Sequence, residues 1–399
     1  MQSGADAMTS NTGAHIEGYE RPDGQVGVRN HLAVIPLVGC AIDVADRITR
    51  IVTEAVPCLH HQGCVQLSYD LEQTTRTIIG LGVNPNVGAA LLVSLGCENV
   101  PSDRIADQIG RSGKTVEMIK IQELGGTMPA IRRGAEICHR MAKGLSRLKK
   151  REFDLSVLSV GTKCGSSDAT SGIAANPAVG VAFDVVVKAG GTAIFGETTE
   201  MMGAEHILAR RAVNQEVATR IYEAVSRMEE RACSMGVDIR GAQPGYGNIQ
   251  GGISTIEEKS LGAILKGGSA PIQGVLEYAE RPSGKGLFIM DSPGREMEAL
   301  TGLAAGGVQV IVFTTGRGAL QGFPIVPVVK VTGNKRTYEK LKQEIDVDVS
   351  SIIDGTEGIV EAGHRVFNEI LDTARGKQTG SERLQLNQCI DIWRVGPTI

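Results

Sequence analysis

The sequence is poor in aromatic residues and contains no long apolar run. Aromatic side chains make up 4% of the 399 residues, and there is a single tryptophan. No apolar stretch reaches the roughly 20 residues that a membrane-spanning helix requires. Residues 1–16 are polar and small, without the apolar segment of a signal peptide. We therefore expect a cytoplasmic protein that does not enter a membrane and that has a disordered tail over residues 1–16.

Excess basic charge is also missing, which argues against a nucleic-acid-binding surface. The formal net charge is −4 at pH 7, and the lysines and arginines are scattered along the chain. The eight cysteines, in a chain without a signal peptide, indicate reduced thiols rather than disulfides. Glycine is abundant, with 51 residues, as is typical of chains with many tight turns between strands and helices.

Short β-branched or apolar runs alternate with segments of helical periodicity. This pattern predicts an α/β fold of mainly parallel sheets flanked by helices, in two or three Rossmann-like layers. The predicted strands cover residues 32–38, 89–95, 116–121, 155–160, 192–196, 286–290 and 308–314. The predicted helices cover residues 43–55, 101–111, 128–149, 177–189, 207–235, 295–305 and 355–375.

Two features suggest how the chain is divided. A basic run at the end of a long amphipathic segment predicts a boundary near residue 150, between an N-terminal α/β domain (17–150) and a C-terminal one (151–399). The glycine-rich segment 241–254 is either a linker or a lid that closes over a ligand. Asn176, directly before Pro177, predicts a helix that begins there with the asparagine as its cap.

Chemically reactive residues follow the predicted strands. Cys97, Cys164, Glu197 and Arg317 each come within a few residues of a predicted strand end. Because open α/β sheets bind ligands at the carboxyl ends of their strands, we expect such residues to surround one site. The alternative is that polar residues and glycines simply populate ordinary turns.

Imidazole and thiol groups near these strand ends indicate a soft metal site. His60 and Cys64 lie in one short segment, and Cys97, Glu98 and Cys164 follow other strands. Such mixed ligands suit iron or zinc better than magnesium. Packing is the alternative for each cysteine taken singly, because a free cysteine is commonly a small buried residue.

Acidic and basic residues supply candidates for proton transfer and anion recognition. Glu197 and Glu200 would face one pocket if a helix begins there, with one carboxylate as general base and the other permanently ionised. Acids that complement a helix dipole are the alternative. The candidates for anion recognition are Arg29, Asn30, Lys259, Lys266 and Arg317. Arg317 stands between two glycines, which let a ligand approach closely, although a surface ion pair is the alternative for each cation.

Taken together, these segments resemble the altronate and galactarate dehydratases, a family related to the large subunit of two-component sulfolactate sulfo-lyases. The segments that carry the resemblance are GYERPDGQVGVRN (18–30), HHQGC (60–64), SLGCE (94–98), KCGSSDATSGIAANPAVG (163–180), FGETTE (195–200), GGISTIEEKSLGAILKGGS (251–269), FTTGRG (313–318) and PVVKV (327–331). A small SAF-like module usually precedes the first of these motifs, and here only polar residues do. We therefore expect a separate small subunit to supply the module. The family's CGGSD run reads CGSSD here, so Ser166 places a hydroxyl and a Cβ where the family has glycine.

The resemblance implies an oligomeric, metal-dependent lyase that removes an α-proton and a β-leaving group from a small 2-hydroxy acid. The implied metal is divalent, with Fe²⁺ expected, and an iron–sulfur cluster is the rival cofactor. The expected metal ligands are His60, Cys64, Cys97, Glu98 and Cys164. The expected general base is Glu197 or Glu200, and Lys259 is the expected acid for the leaving group. The expected substrate-binding residues are Arg29, Asn30, Ser167, Asp168, Asn176, Lys266 and Arg317.

The resemblance implies two different leaving groups, sulfite and hydroxide. We expect (2R)-3-sulfolactate as the substrate, with pyruvate and sulfite as products. Dehydration of a sugar acid to a 2-keto-3-deoxy acid is the alternative. A non-catalytic subunit that keeps the fold is the rival from another functional class.

Overall fold

The structure is a computed structural model that describes residues 14–386 and 390–397. Most of the expected N-terminal tail lies outside these residues, but His15 and Ile16 were wrongly assigned to it. Both belong to the first strand, and the Ile16 side chain is fully buried.

The described part of the chain alternates between strands and helices. The strands are β1 His15–Glu20, β2 Val26–Gly27, β3 His31–Pro36, β4 Ala55–Pro57, β5 Val87–Ser94, β6 Thr115–Lys120, β7 Arg151–Asp154, β8 Ser159–Gly165, β9 Thr192–Phe195, β10 Ile272–Leu276, β11 Gly286–Met290, β12 Val310–Thr315, β13 Val328–Thr332 and β14 Val347–Asp348. The helices are α1 Ile42–Ile51, α2 Ser68–Val83, α3 Ser102–Gly110, α4 Thr127–Leu145, α5 Asn176–Lys188, α6 Glu205–Ala209, α7 Gln215–Ser234, α8 Ile239–Ala242, α9 Tyr246–Gln250, α10 Ile256–Ile264, α11 Glu296–Ala305, α12 Lys335–Lys340, α13 Ile359–Ala374 and α14 Gly380–Arg383.

Two parallel sheets dominate the fold, which confirms the α/β prediction. A four-stranded sheet has the order β4-β3-β5-β6, and a seven-stranded sheet has the order β10-β11-β9-β8-β12-β13-β14. A small antiparallel sheet, β2-β1-β7, joins them, with His15 opposite Asp154. Every residue of β11 and of β12 is buried, as expected for parallel strands covered by helices on both faces.

The two parallel sheets share a hydrophobic core. Helix α2 packs against α11, and Leu81 of α2 lies in the same buried cluster as Leu300 and Leu303 of α11. A second cluster covers the other face of the four-stranded sheet beneath α1 and α4. None of the helices in the described residues combines the length and the apolar character that a membrane crossing requires.

Some predicted elements differ from the observed ones for identifiable reasons. The predicted helix 207–235 is interrupted between α6 and α7, where Ala212 forms a bridge with Ile272 and Asn214 caps α7 through the backbone N–H of Val217. The predicted strand 155–160 begins instead at Ser159, because Asp154 caps a 3-10 turn over Leu155–Val157. Helix α2 was missed because it is buried on several sides and therefore has little amphipathic pattern.

Arg29 and Asn30, which were expected to bind substrate, are structural instead. The Arg29 guanidinium donates two hydrogen bonds to the Glu382 carboxylate, at 2.8 and 2.9 Å, and another to the Thr373 carbonyl. Asn30 accepts a hydrogen bond from Arg21 and donates one to the Leu145 carbonyl. These contacts tie the segment before β3 to the C-terminal helices and to α4, and nothing in the structure supports a role of either residue in substrate binding.

Breaking this ion pair should destabilise the fold. Both partners are largely buried, with side-chain exposures of 12% and 15%, so Arg29→Ala should lower the free energy of unfolding by about 3 kcal/mol. Arg104→Ala is the control, because its pair with Glu72 is about half exposed, at 47% and 54%, and should change stability by less than about 1 kcal/mol. Urea denaturation measures both, and equal losses in the two variants would contradict the structural role of Arg29.

The same pair predicts how stability depends on pH. Burial favours the protonated form of Glu382, but hydrogen bonding and the charge of Arg29 outweigh it and hold the pKa of the carboxyl below its usual value. The contribution of the pair is therefore present above the ordinary glutamate pKa of about 4.3 and is lost as the pH falls through the lowered pKa. The stability difference between wild type and Arg29→Ala should shrink accordingly in acid.

Candidate active site

A cavity of about 450 Å³ opens beside the carboxyl ends of β8, β9 and β11 in the seven-stranded sheet. Its lining residues are Cys164, Gly165, Ser166, Ser167, Thr199, Glu200, Gln243, Gly245, Asn248, Ile256, Lys259, Gly294, Arg295 and Glu296. The glycine-rich segment 241–254 forms part of this wall. It contains the last two residues of α8 and the whole of α9.

Glu197 lies behind the cavity wall at the centre of a buried ionic cluster. Its side chain is 1% exposed, and its backbone adopts the left-handed conformation with φ of 69°. One carboxylate oxygen accepts a hydrogen bond from Lys163 at 2.8 Å. The other accepts from Lys266 at 2.5 Å and from the backbone N–H of Cys164 at 2.8 Å. Both oxygens therefore accept hydrogen bonds from buried donors, and Glu197 is not among the residues that line the cavity.

Glu200 shares Lys266 with Glu197 but, unlike it, lines the cavity. The two glutamates are joined by a 3-10 turn over Thr198–Glu200 rather than by the expected α-helix. The Glu200 carboxylate accepts a hydrogen bond from Lys266 at 3.2 Å and lies 3.5 Å from the ammonium of Lys259. Burial alone would raise the pKa of Glu200, but the charges of Lys266, Lys259 and Lys163 outweigh it and lower that pKa. Glu200 is thus an ionised carboxylate on the cavity wall at neutral pH.

Two lysines of this ionic cluster, Lys163 and Lys266, are almost completely buried. Lys163 was not predicted as a site residue from the sequence. Lys163 and Lys266 are each 1% exposed. Burial lowers the pKa of each ammonium, but the neighbouring carboxylates prevail and raise both pKa values. Lys163 also lies 3.9 Å from Glu296 on the cavity wall. The neighbouring carboxylates therefore hold Lys163 and Lys266 in their charged forms.

Cys164 and Ser167 lie on the same side of the cavity. The Cys164 thiol is 2.8 Å from the Ser167 hydroxyl and 3.9 Å from the side-chain nitrogen of Asn176. Burial and the charge of Glu200 raise the pKa of this thiol, which is therefore neutral. Asn176 donates to the Gly262 carbonyl and accepts from Thr314. These hydrogen bonds connect α10 and β12 beside the cavity. Asn176 does not cap α5 as predicted, because α5 continues directly from a π-helical turn over Ser171–Ala175.

Asp168 does not line the cavity, in contrast to the prediction that it binds substrate. Its carboxylate accepts hydrogen bonds from Thr170, from the backbone N–H of Ser171 and from Asn334. The aspartate therefore stabilises the start of the π-helical turn. Arg317, by contrast, lines a smaller adjoining cavity.

The five predicted metal ligands do not come together. His60, Cys64, Cys97 and Glu98 follow strands of the four-stranded sheet, whereas Cys164 ends β8 of the other sheet. The Glu98 carboxylate already accepts hydrogen bonds from Ser94 and from the backbone N–H of Gly96. Within residues 14–386 and 390–397, no three His, Cys, Asp or Glu side chains are grouped so that they could hold a metal ion. In this arrangement the donor set does not fit one metal ion.

Several cavity residues were missed, although part of the signal was present in the sequence. Arg295 and Glu296 follow the correctly predicted strand β11 by only a few residues. Arg295 also pairs with Asp391 at 3.3 Å, and Asp391 lies 3.7 Å from His61 at the edge of the four-stranded sheet. Asn248 donates to the Ser167 carbonyl, a contact between distant segments that no local pattern reveals.

Two family models match most of the chain. The sequence model of the D-galactarate dehydratase/altronate hydrolase second domain matches residues 18–146, and that of the D-galactarate/altronate dehydratase C-terminal domain matches residues 155–398. The (2R)-sulfolactate sulfo-lyase subunit beta of Chromohalobacter salexigens is 38% identical over 371 residues, which cover 92% of this chain and 94% of that protein.

Two sugar-acid dehydratases are also similar. The altronate dehydratase of Bacillus subtilis is 34% identical, over 98% of this chain and 80% of that protein. The galactarate dehydratase (L-threo-forming) of Escherichia coli is 33% identical, over 96% of this chain and 77% of that protein. The chain therefore belongs to the D-galactarate/altronate dehydratase family and is an enzyme of the lyase class.

Proposed function

We propose that this chain catalyses α-proton abstraction and β-elimination on a small 2-hydroxy acid, with (2R)-3-sulfolactate as the substrate. The observation that carries the proposal is the ionised Glu200 on the cavity wall, next to Lys259 and backed by the buried Lys163–Glu197–Lys266 cluster. This arrangement offers a proton acceptor and a proton donor within one cavity.

Glu200 acts as the general base in this proposal. It removes the proton from C2, the C2–H electron pair forms the C2=C3 bond, and the C3–S bond breaks so that sulfite leaves with its electron pair. The enol of pyruvate then takes a proton at C3 and loses the hydroxyl proton to give pyruvate. We do not assign Glu197 as the base, because it does not line the cavity and both of its oxygens accept hydrogen bonds from buried donors.

The lysines have separate roles in this scheme. Lys259 lines the cavity and lies beside Glu200, so it can stabilise the departing sulfite electrostatically or protonate a departing hydroxide. Lys266 contacts both carboxylates and fixes the position of the base relative to Glu197. Arg295 is the other cation on the cavity wall and is placed to bind the substrate carboxylate.

The choice of sulfolactate is supported by sequence identity. The chain is 38% identical to the sulfo-lyase subunit, compared with 34% and 33% for the two sugar-acid dehydratases. That relative is named as a subunit, which supports a separately encoded small partner for this chain as well. Dehydration of a sugar acid is the second candidate, since two relatives are named for it.

Replacing each glutamate singly should separate their roles. Glu200→Gln should lower kcat by a factor of about 10³, because general base catalysis contributes roughly 10² to 10⁴. It should lower the free energy of unfolding by less than Glu197→Gln does, because Lys266 keeps Glu197 as a counter-charge. Glu197→Gln should lower the free energy of unfolding by about 3 kcal/mol as well as reducing activity, because it leaves two buried ammonium groups short of a counter-charge. Sulfite release and urea denaturation are the measurements.

Glu257→Gln is the control for these variants, because Glu257 is exposed on α10 outside the cavity lining. Glu257→Gln should change neither the rate of sulfite release nor the free energy of unfolding. Wild-type turnover in Glu200→Gln would remove Glu200 from the mechanism.

The two candidate substrates are separated by product analysis. With 3-sulfolactate we expect stoichiometric sulfite and pyruvate, and with altronate or galactarate only slow formation of a 2-keto-3-deoxy acid. The assay is run with the chain alone and with a co-expressed small subunit, and activity should require or increase with the partner. Rapid dehydration of a sugar acid without sulfite release from sulfolactate would favour the second candidate.

Dependence on a divalent metal, with Fe²⁺ expected, remains part of the proposal on the family resemblance alone. We assign no step to a metal, because the expected ligands do not form one site. If the expectation is correct, a chelator should abolish turnover and Fe²⁺ should restore it in protein purified without oxygen. A brown chromophore that bleaches on oxidation would instead indicate an iron–sulfur cluster.

A further inference from the structure

A second cavity adjoins the first and shares one of its walls. It has a volume of about 170 Å³ and is lined by Ser166, Gly245, Gly247, Asn248 and Arg317. Ser166, Gly245 and Asn248 line the larger cavity as well. We call the smaller space the side cavity. A ligand that occupies the larger cavity can therefore extend towards Arg317 past this shared wall.

The side cavity carries unbalanced positive charge. Its lining residues include the Arg317 guanidinium and no carboxylate. In the larger cavity, by contrast, the cations Lys259 and Arg295 share the wall with the carboxylates Glu200 and Glu296. A negatively charged group is therefore better accommodated in the side cavity than on the wall next to the glutamates.

Hydrogen bonds hold Arg317 in place, and it forms no ion pair with a carboxylate of the described residues. Its backbone N–H donates to the Ser166 carbonyl at 3.0 Å, and one guanidinium nitrogen donates to the Gly247 carbonyl at 2.9 Å. Among the residues that the structure describes, no carboxylate lies within ion-pair distance of it. The remaining N–H groups of the planar guanidinium suit a bidentate contact with an oxyanion.

Ser166 provides a second, independent indication of a ligand contact. It is exposed, and its backbone has φ of 51°, a conformation that favours glycine. Its carbonyl accepts the Arg317 N–H, whereas its hydroxyl makes no hydrogen bond to the described residues. Ser166 therefore adopts a strained backbone conformation and offers a free hydroxyl between the two cavities. This combination is typical of a residue whose side chain has a function.

We infer that the side cavity is a subsite for a second oxyanion group of the substrate, with Arg317 as the countercharge and Ser166 as a hydrogen-bond donor. This inference rests on the proposed function, which places the reacting carbons beside Glu200. It narrows the substrate class to dianions, that is, 2-hydroxy acids that carry a sulfonate or a second carboxylate. A monoanionic sugar acid would leave Arg317 without a partner.

Calorimetric titration of the full chain tests the subsite without requiring turnover. The ligands are 3-sulfopropanoate, succinate and propanoate, which present a sulfonate, a second carboxylate and no second anion. We expect wild type to bind at least one dianion about tenfold or more tightly than propanoate, and Arg317→Gln to lose that preference. Arg132→Gln, which changes an exposed arginine on α4, should retain it.

The two dianions distinguish the source of the oxyanion. Tighter binding of 3-sulfopropanoate indicates a sulfonate substrate, and tighter binding of succinate indicates a dicarboxylic sugar acid; both outcomes support the subsite. A dianion preference that survives in Arg317→Gln, or that is missing in wild type, overturns it. A preserved preference in a chain that turns over no hydroxy acid would refute the proposed function and leave the subsite standing.

Two variants of Ser166 test the hydroxyl separately. Ser166→Ala removes only the hydroxyl, and should weaken dianion binding by about threefold to tenfold without affecting propanoate. Ser166→Gly also removes the Cβ and relieves the positive φ, so it should be no less stable than wild type and should weaken dianion binding similarly. Dianion affinity equal to that of wild type in Ser166→Ala would overturn the assignment of Ser166.

Discussion

The carboxylate of Glu197 is the contact on which the rest of the site depends. It joins Lys163 and the backbone N–H of Cys164, both from β8, to Lys266 from the turn after α10. Two segments that are distant in sequence therefore meet at the carboxylate of a third. Buried charges are costly unless they are paired, and removing one partner leaves the others uncompensated. The ionic cluster therefore fixes the relative positions of β8, the turn after β9 and the turn after α10.

This cluster also explains how two glutamates in one motif can differ in chemistry. Glu197 accepts hydrogen bonds at both oxygens and holds Lys163 and Lys266 in their charged forms. Glu200 shares Lys266 but reaches the cavity, where its second oxygen faces Lys259 at 3.5 Å. The array keeps Glu200 ionised, so the carboxylate is ready to accept a proton. The strength of Glu200 as a base is correspondingly limited, and catalysis must depend on positioning and on stabilisation of the developing charge.

The sequence predicted the α/β class, most of the long strands and the position of the site at strand ends, because these follow from local patterns. The sequence did not separate charged residues that stabilise the fold from charged residues that line the cavity. Arg29 and Asp168 lie in conspicuous motifs but satisfy the fold, through Glu382 and the π-helical turn respectively. Lys163 could have been suspected, since it stands next to Cys164, but its pairing with Glu197 is a long-range contact. Helix α10, which supplies Lys259, has too weak an amphipathic pattern to be found from periodicity.

The C-terminal segment, residues 390–397, connects the cavity wall with the four-stranded sheet. That sheet carries the predicted metal ligands His60, Cys64 and Cys97, which lie apart from the ionic cluster. Asp391 lies between Arg295 on the cavity wall and His61 at the edge of the four-stranded sheet, at 3.3 and 3.7 Å. The segment is anchored there by Asp70, which accepts the backbone N–H groups of Val395 and Gly396. The strand ends of both sheets thus border one region. In the proposed scheme, a substrate carboxylate at Arg295 would lie next to Asp391, which links the cavity wall to the four-stranded sheet.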